Sequence, residues 1–120
     1  MSFNTIEDGL SCPFCKDKIL SGIGFRFGKV ARLKYRVGDE LVWDGPDCRP
    51  PSRPSAPVIK IIGYFNCDNF KCDSWSDCFP EVQQALITIE NNRIASVEHY
   101  TGPLPEDEQF PILEPADLGS

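Results

Sequence analysis

Histidine is all but missing from this sequence, and most of the familiar side-chain chemistry goes with it. His99 is the single imidazole in 120 residues, so histidine-based triads and multi-histidine metal sites are limited to what one ring near the end of a predicted strand can supply. It reads as a surface or edge residue, and an enzyme would have to pair it with Cys48 or Cys78. Long apolar runs are lacking too: nothing approaches the roughly 20 apolar residues that a membrane-crossing helix requires. The stretch Met1 to Leu10 has neither the basic head nor the apolar segment of a secretion signal, so the expectation is a soluble, cytoplasmic protein with no membrane association. A phosphate-cradling loop is also missing. Gly22, Gly24 and Gly28 give Gly-x-Gly-x-x-x-Gly, one residue off the dinucleotide spacing and without a preceding strand. Carboxylates do adjoin at Glu106, Asp107 and Glu108, but neighbours in an extended segment point apart and stay in water, where nothing tunes them as acid and base. Catalysis is not expected.

Positive charge is scarce in the second half of the chain. Residues 61–120 hold 2 Lys/Arg against 11 Asp/Glu, whereas residues 1–60 hold 10 against 7, within a total net charge of -6. In a single domain the plainest consequence is attraction between the halves; the other is a surface made for two different partners. A hydrophobic fraction of 41% and a charged fraction of 25% belong to an ordinary globular protein of one domain. The 11 Pro and 9 Gly remove many positions from regular elements, so a modest core is expected to need reinforcement.

What regular structure there is reads as β. From Phe25 to Trp43 the residues alternate, with Leu33, Tyr35 and Val37 on one side and Arg32, Lys34 and Arg36 on the other. Gly38-Asp39 marks a turn before a short strand from Glu40 to Trp43. Pro46, Pro50, Pro51, Pro54 and Pro57 make the segment from Gly45 to Pro57 a stiff, unladdered loop. Val58 to Phe65 is β-branched and aromatic, the pattern of a buried central strand. Ala85 to Glu90 and Arg93 to Tyr100 flank Asn91-Asn92, two residues that tolerate positive φ and suit a tight hairpin turn. That register sets Glu90 against Arg93 as an ion pair and Ile89 against Ile94. Helix is scarce, at most a turn or so around Pro80 to Ala85.

Six cysteines in a chain without a secretion signal point to metal rather than disulfides, because a reducing compartment does not preserve bridges. In Cys12-Pro13-Phe14-Cys15 the two intervening residues let one tight turn aim both sulfurs at a single ion. A second pair follows in the cluster Cys67, Cys72 and Cys78. Cys67 with Cys72 has the four-residue gap found in structural zinc sites and follows a strand; Cys72 with Cys78 is the alternative. A redox dithiol and plain buried thiols are the competing readings of the same cysteines. Four thiolates would leave zinc no open position for water or substrate, so such an ion stabilises the fold and does no chemistry. Cys48, alone in the proline-rich loop, reads as an ordinary thiol.

Cys-Pro-Phe-Cys, the sheet-forming sequence after it, and Cys67 with Cys72 beyond a strand resemble the zinc ribbon, a rubredoxin-like arrangement of two knuckles holding one zinc beneath an antiparallel sheet. The order from Cys12 to Tyr100, with Tyr35, Gly38-Asp39 and Trp43 between the knuckles, resembles small bacterial ribbon proteins, some of which look like immunity proteins to secreted toxins. This chain departs from the pattern in its wider second knuckle, Cys67 to Cys72, which leaves the fourth ligand open, and in its long proline-rich loop. The resemblance implies an all-β zinc ribbon with an enlarged antiparallel sheet and little helix. Residues 1–102 would form the domain and residues 103–120 an acidic, proline-rich tail. One structural zinc would be held by Cys12, Cys15, Cys67 and Cys72. The function expected is non-enzymatic protein binding, with Asp68, Asp73, Asp77, Glu106, Asp107 and Glu108 forming an acidic surface against a basic toxin domain. The alternative is a nucleic-acid-binding ribbon that uses Arg32, Lys34 and Arg36, with Arg26 and Lys29 nearby and Phe25, Phe27 and Tyr35 interleaved as stacking surfaces.

Overall fold

Apolar alternation decides where the long strands form. The computed structural model describes residues 3–7, 11–12, 15–16, 22–49, 53–67, 75–76, 79–80, 82–102 and 112–114. Their strands are β1 (Asn4–Ile6), β2 (Ile23–Phe25), β3 (Gly28–Lys29), β4 (Lys34–Tyr35), β5 (Cys48–Arg49), β6 (Val58–Phe65), β7 (Trp75–Ser76), β8 (Phe79–Pro80), β9 (Gln83–Glu90), β10 (Arg93–His99) and β11 (Ile112–Glu114). The described residues contain no helix, and the class is all-β. The main sheet runs β10-β9-β6-β2-β1-β4, with β11 also paired to β6, while β3-β5 and β7-β8 form small two-stranded sheets. Pairing in the main sheet is antiparallel except at one join, where β1 lies parallel to β4. No helix among the described residues is long and apolar enough to cross a membrane.

β6 is the centre of this arrangement, as its run of isoleucines predicts. Ile59, Ile61 and Phe65 bury one face, and Ile62 is fully buried on the other. Along one edge β9 pairs with it from Val58↔Glu90 to Phe65↔Gln83, and the buried Ala85, Ile87 and Ile89 continue the core face. The other edge is shared. β2 meets it at Gly24↔Tyr64, and β11 takes the earlier half at Ile112↔Ile61 and Glu114↔Lys60. Close approach of β2 and β6 depends on Gly63, where a Cβ would stand 2.8 Å from the Gly24 carbonyl oxygen and 2.9 Å from side-chain atoms of Ile23 and Ile87. Ile23, Ile59, Ile61, Phe65, Ala85, Ile87 and Ile89 form a continuous core with Ile6, Phe25, Phe27, Tyr35, Leu41 and Ile94, each buried aliphatic or aromatic side chain contributing roughly 1.5–3 kcal/mol.

The hairpin has the expected register: Asn91 and Asn92 adopt φ of 50° and 68°, as a type I′ turn requires, and Arg93↔Glu90 and Ile94↔Ile89 are paired. The expected ion pair changes partner. Arg93 Nη2 lies 3.3 Å from Glu40 Oε2, because residues 38–41 dock along the outer edge of β10 through Gly38 N–H to Ile94 O, Ile94 N–H to Asp39 O and Leu41 N–H to Asn92 O. Glu40 to Trp43 is correspondingly not a strand; only a bridge, Glu40↔Arg93, marks it. The turn at Gly38-Asp39 is present, with Asp39 N–H donating to Arg36 O at 3.0 Å.

Two other expectations are corrected. The stretch from Phe25 to Trp43 is broken into short pieces, and the cause is Asn4. Its fully buried side chain donates to Lys29 O at 2.7 Å and accepts from the N–H groups of Ala31 and Leu33 at 3.2 and 3.0 Å. Residues 30–33, between β3 and β4, therefore wrap an amide instead of continuing a strand, with Arg32 at φ 56°. The helical turn proposed around Pro80 to Ala85 is also replaced by strand: Pro80 belongs to β8, and β9 starts at Gln83. The Ala85, Ile87, Ile89 alternation extends backwards because β6 offers pairing partners as far as Phe65.

Candidate metal centre

The Cys12-to-Cys15 turn lies in the connection between β1 and β2. Lys16 N–H donates to Cys12 O at 3.0 Å, closing a five-residue turn, and Lys16 takes φ 67°, which bends the chain away directly after Cys15. Cys67 reaches the same place from β6: it lies two residues past Phe65, so strand alternation brings it to the core face. The ligand atoms of Cys12, Cys15 and Cys67 all lie within 4.8 Å of one another. Cys12 and Cys67 are 1% and 2% exposed and belong to the hydrophobic core, against which the half-buried Cys15 packs.

The spacing tests which chemistry fits. Cys15 Sγ and Cys67 Sγ are 3.6 Å apart, well beyond the ~2.05 Å of a disulfide and close to the ~3.8 Å edge of a tetrahedron with metal–sulfur bonds of about 2.3 Å. The three sulfurs can hold a metal ion. Cys72 and Cys78, the two candidates for the fourth position, lie outside the described residues.

Known proteins add no relative. No family model, curated protein or solved structure matches this chain. The chemistry therefore rests on the geometry alone.

The remaining cysteine and the histidine are kept apart. Cys48 is buried in β5, where its thiol donates to Trp43 O at 3.3 Å and to Gly45 O at 3.5 Å. His99 is exposed on β10 with its ring 5.6 Å from that of Phe65, toward the Cys67 end of β6, whereas Cys48 contacts Trp43 and Gly45. Of the candidate partner-binding groups, Asp68, Asp73, Asp77, Glu106, Asp107 and Glu108 all lie outside the described residues.

Arg32, Lys34 and Arg36 are each exposed but do not share one strand face: Arg32 sits in the loop around Asn4, and Lys34 Nζ lies 3.8 Å from Glu7 Oε1. The aromatic rings expected beside them turn inward. Phe25 and Tyr35 are buried against each other at 5.8 Å, and Phe27 is buried edge-on to Trp43 at 5.2 Å. Burial pushes the Tyr35 hydroxyl above its ordinary pKa, with Asp39 adding to the shift and the hydrogen bond from Val42 N–H opposing it.

A half-open cleft of about 380 Å³ lies at the end of β6 away from the cysteines, between Trp43 and residues 53–57, with Ile59, Ile89 and the Asn91-Asn92 turn completing it. The aromatic Trp43 just before a proline-rich loop was its only trace in the sequence.

Proposed function

We propose that this protein is a zinc-ribbon-like, non-enzymatic module that is stabilised by one thiolate-bound zinc and works by binding another protein. The observation that carries the reading is the convergence of Cys12, Cys15 and Cys67 from two distant parts of the chain. An all-sulfur set of this spacing suits zinc, with Cys72 or Cys78 supplying the fourth thiolate. Filled in this way, the ion has no open position, and its binding energy becomes folding energy that ties the β1–β2 connection to the end of β6.

Protein binding follows from the charge division. The second half, with 11 acidic residues against 2 basic ones, steers toward a cationic surface such as the nucleic-acid-binding cleft of a toxin, in keeping with the resemblance to immunity proteins. Native mass spectrometry of the protein captured gently from its own cells tests both parts. One zinc together with one stoichiometric protein partner, whose association slows as salt rises, is the expected result. Zinc-free folded protein overturns the metal reading, and a monomer trailing nucleic acid overturns the choice of partner.

A further inference from the structure

We propose that the cleft at the hairpin end of the sheet is a binding site for a small planar anion, an aromatic ring bearing a carboxylate or similar acidic group. The site is separate from the cysteine centre and does not rest on it.

Its apolar part is built from rigid surfaces. Phe27, Ile59 and Ile89 are almost completely buried and form the floor. Trp43 is fixed twice, by its edge-to-face contact with Phe27 at 5.2 Å and 87° and by its indole N–H, which donates to Asn92 Oδ1 at 2.6 Å. With that donor engaged, what the indole offers the cleft is ring surface already held in place. Pro54 and Pro57 also line the cleft; with fixed φ and no N–H they stiffen that part of its wall. A ring that enters between such walls stacks without ordering many torsions on either side, which is where affinity for small ligands is usually lost. The volume, about 380 Å³, falls in the lower part of the range for small-molecule sites.

Its polar part selects the charge. Among the described residues Arg53 is the only charged one lining the cleft; it is exposed and is in none of the ion pairs found among them, which join Lys29 to Asp44, Lys34 to Glu7 and Arg93 to Glu40. Ser55 and Asn91, which carry a hydroxyl and an amide, also line the cleft. Among the described residues no carboxylate lines the cleft, although the chain carries 18 Asp and Glu and a net charge of -6. Among the described residues a cation thus stands without an ion-pair partner beside an aromatic slot, in a protein of net negative charge. An acidic group on the ring would bond Arg53 while the ring lies against Trp43.

The test is a titration of the isotope-labelled full-length protein, followed by amide and indole N–H resonances, with naphthoate, the neutral naphthylmethanol and acetate as probes. Naphthoate is expected to shift the Trp43 indole and the amides of Ser55, Ala56, Asn91 and Asn92 saturably, naphthylmethanol to bind roughly five- to tenfold more weakly, and acetate not to saturate. Arg53→Gln, at an exposed position, should bring naphthoate down to the level of the alcohol while leaving the alcohol's affinity and the melting temperature unchanged. Ser55→Glu should abolish naphthoate binding by repulsion. Absence of saturable shifts at millimolar naphthoate, shifts spread over the sheet instead of the cleft, or equal naphthoate affinity in Arg53→Gln would overturn the proposal.

Discussion

At one end of β6, Cys67 meets Cys12 and Cys15; at the other, Pro57 meets the hairpin turn by accepting the Asn91 N–H at 2.7 Å. Eight strand residues, roughly 23 Å of extended chain, separate two ways of closing a sheet. The cysteine end concentrates its connection in a few sulfur atoms whose bonding depends on deprotonation, redox state and metal supply. The hairpin end distributes it. Trp43 donates to Asn92 Oδ1, Asn92 Nδ2 donates to Leu41 O at 2.9 Å, and Leu41 N–H returns to Asn92 O at 2.8 Å. One end should therefore fail as a unit, whereas the other should weaken by increments.

The largest effect is expected from breaking the concentrated end. If the three cysteines hold the proposed ion, Cys67→Ser, or an excess of chelator, should remove it and cost several kcal/mol, a large share of the roughly 5–15 kcal/mol that holds a domain together. Thermal melting with and without chelator checks this, and an unchanged melting temperature in Cys67→Ser would remove the metal from the account of stability. Cys48→Ser is the matched control: a hydroxyl can donate to the same two carbonyls, so metal content should be unaffected and stability should change by about 1 kcal/mol or less.

Next comes Asn4→Ala, which strands the buried groups that hold residues 29–33. With three hydrogen bonds lost, a destabilisation of about 3 kcal/mol is expected by urea unfolding, with faster hydrogen exchange at Ala31 and Leu33. A loss under 1 kcal/mol would show that the loop keeps its shape without the amide.

The distributed end can be taken apart in steps. Asn92→Gly keeps the positive φ but removes the side-chain bonds to Trp43 and Leu41, for about 1–2 kcal/mol; Asn92→Ala adds backbone strain and should cost more. Equal losses in the two variants would mean that the turn conformation contributes little. Smallest of all is Glu40→Gln, which breaks the Arg93 pair. Both partners are more than half exposed, at 59% and 56%, and a change below about 0.5 kcal/mol is expected.

The same division governs what could be read from sequence. β6 and the β9–β10 hairpin were legible because their information is local: a run of isoleucines, a period of two, and an Asn-Asn pair fit for positive φ. The Cys12 to Cys15 turn was legible for the same reason, and Cys67 because a strand leads into it. Phe25 to Trp43 was not, since its alternation is interrupted by a side chain 25 to 29 residues away, that of Asn4. The cleft was hidden in a similar way: Trp43 and Asn92, joined by one hydrogen bond, are 49 positions apart, and no local window contains both. The aromatic residues around Arg32, Lys34 and Arg36 misled because alternation shows which residues share a face but not which face is covered.

β11 adds a matter of timing. Ile112–Glu114 supply the partner for the half of the β6 edge that β2 leaves open, although β6, β9 and β10 all precede them in the chain. During synthesis the central strand therefore emerges long before its last neighbour, and a chain interrupted before Ile112 would carry a flank of unpaired N–H and C=O groups at the heart of its sheet. Such a flank is what edge-to-edge aggregation and chaperone capture act upon. Pairing of Ile112–Glu114 is what covers that stretch of the edge.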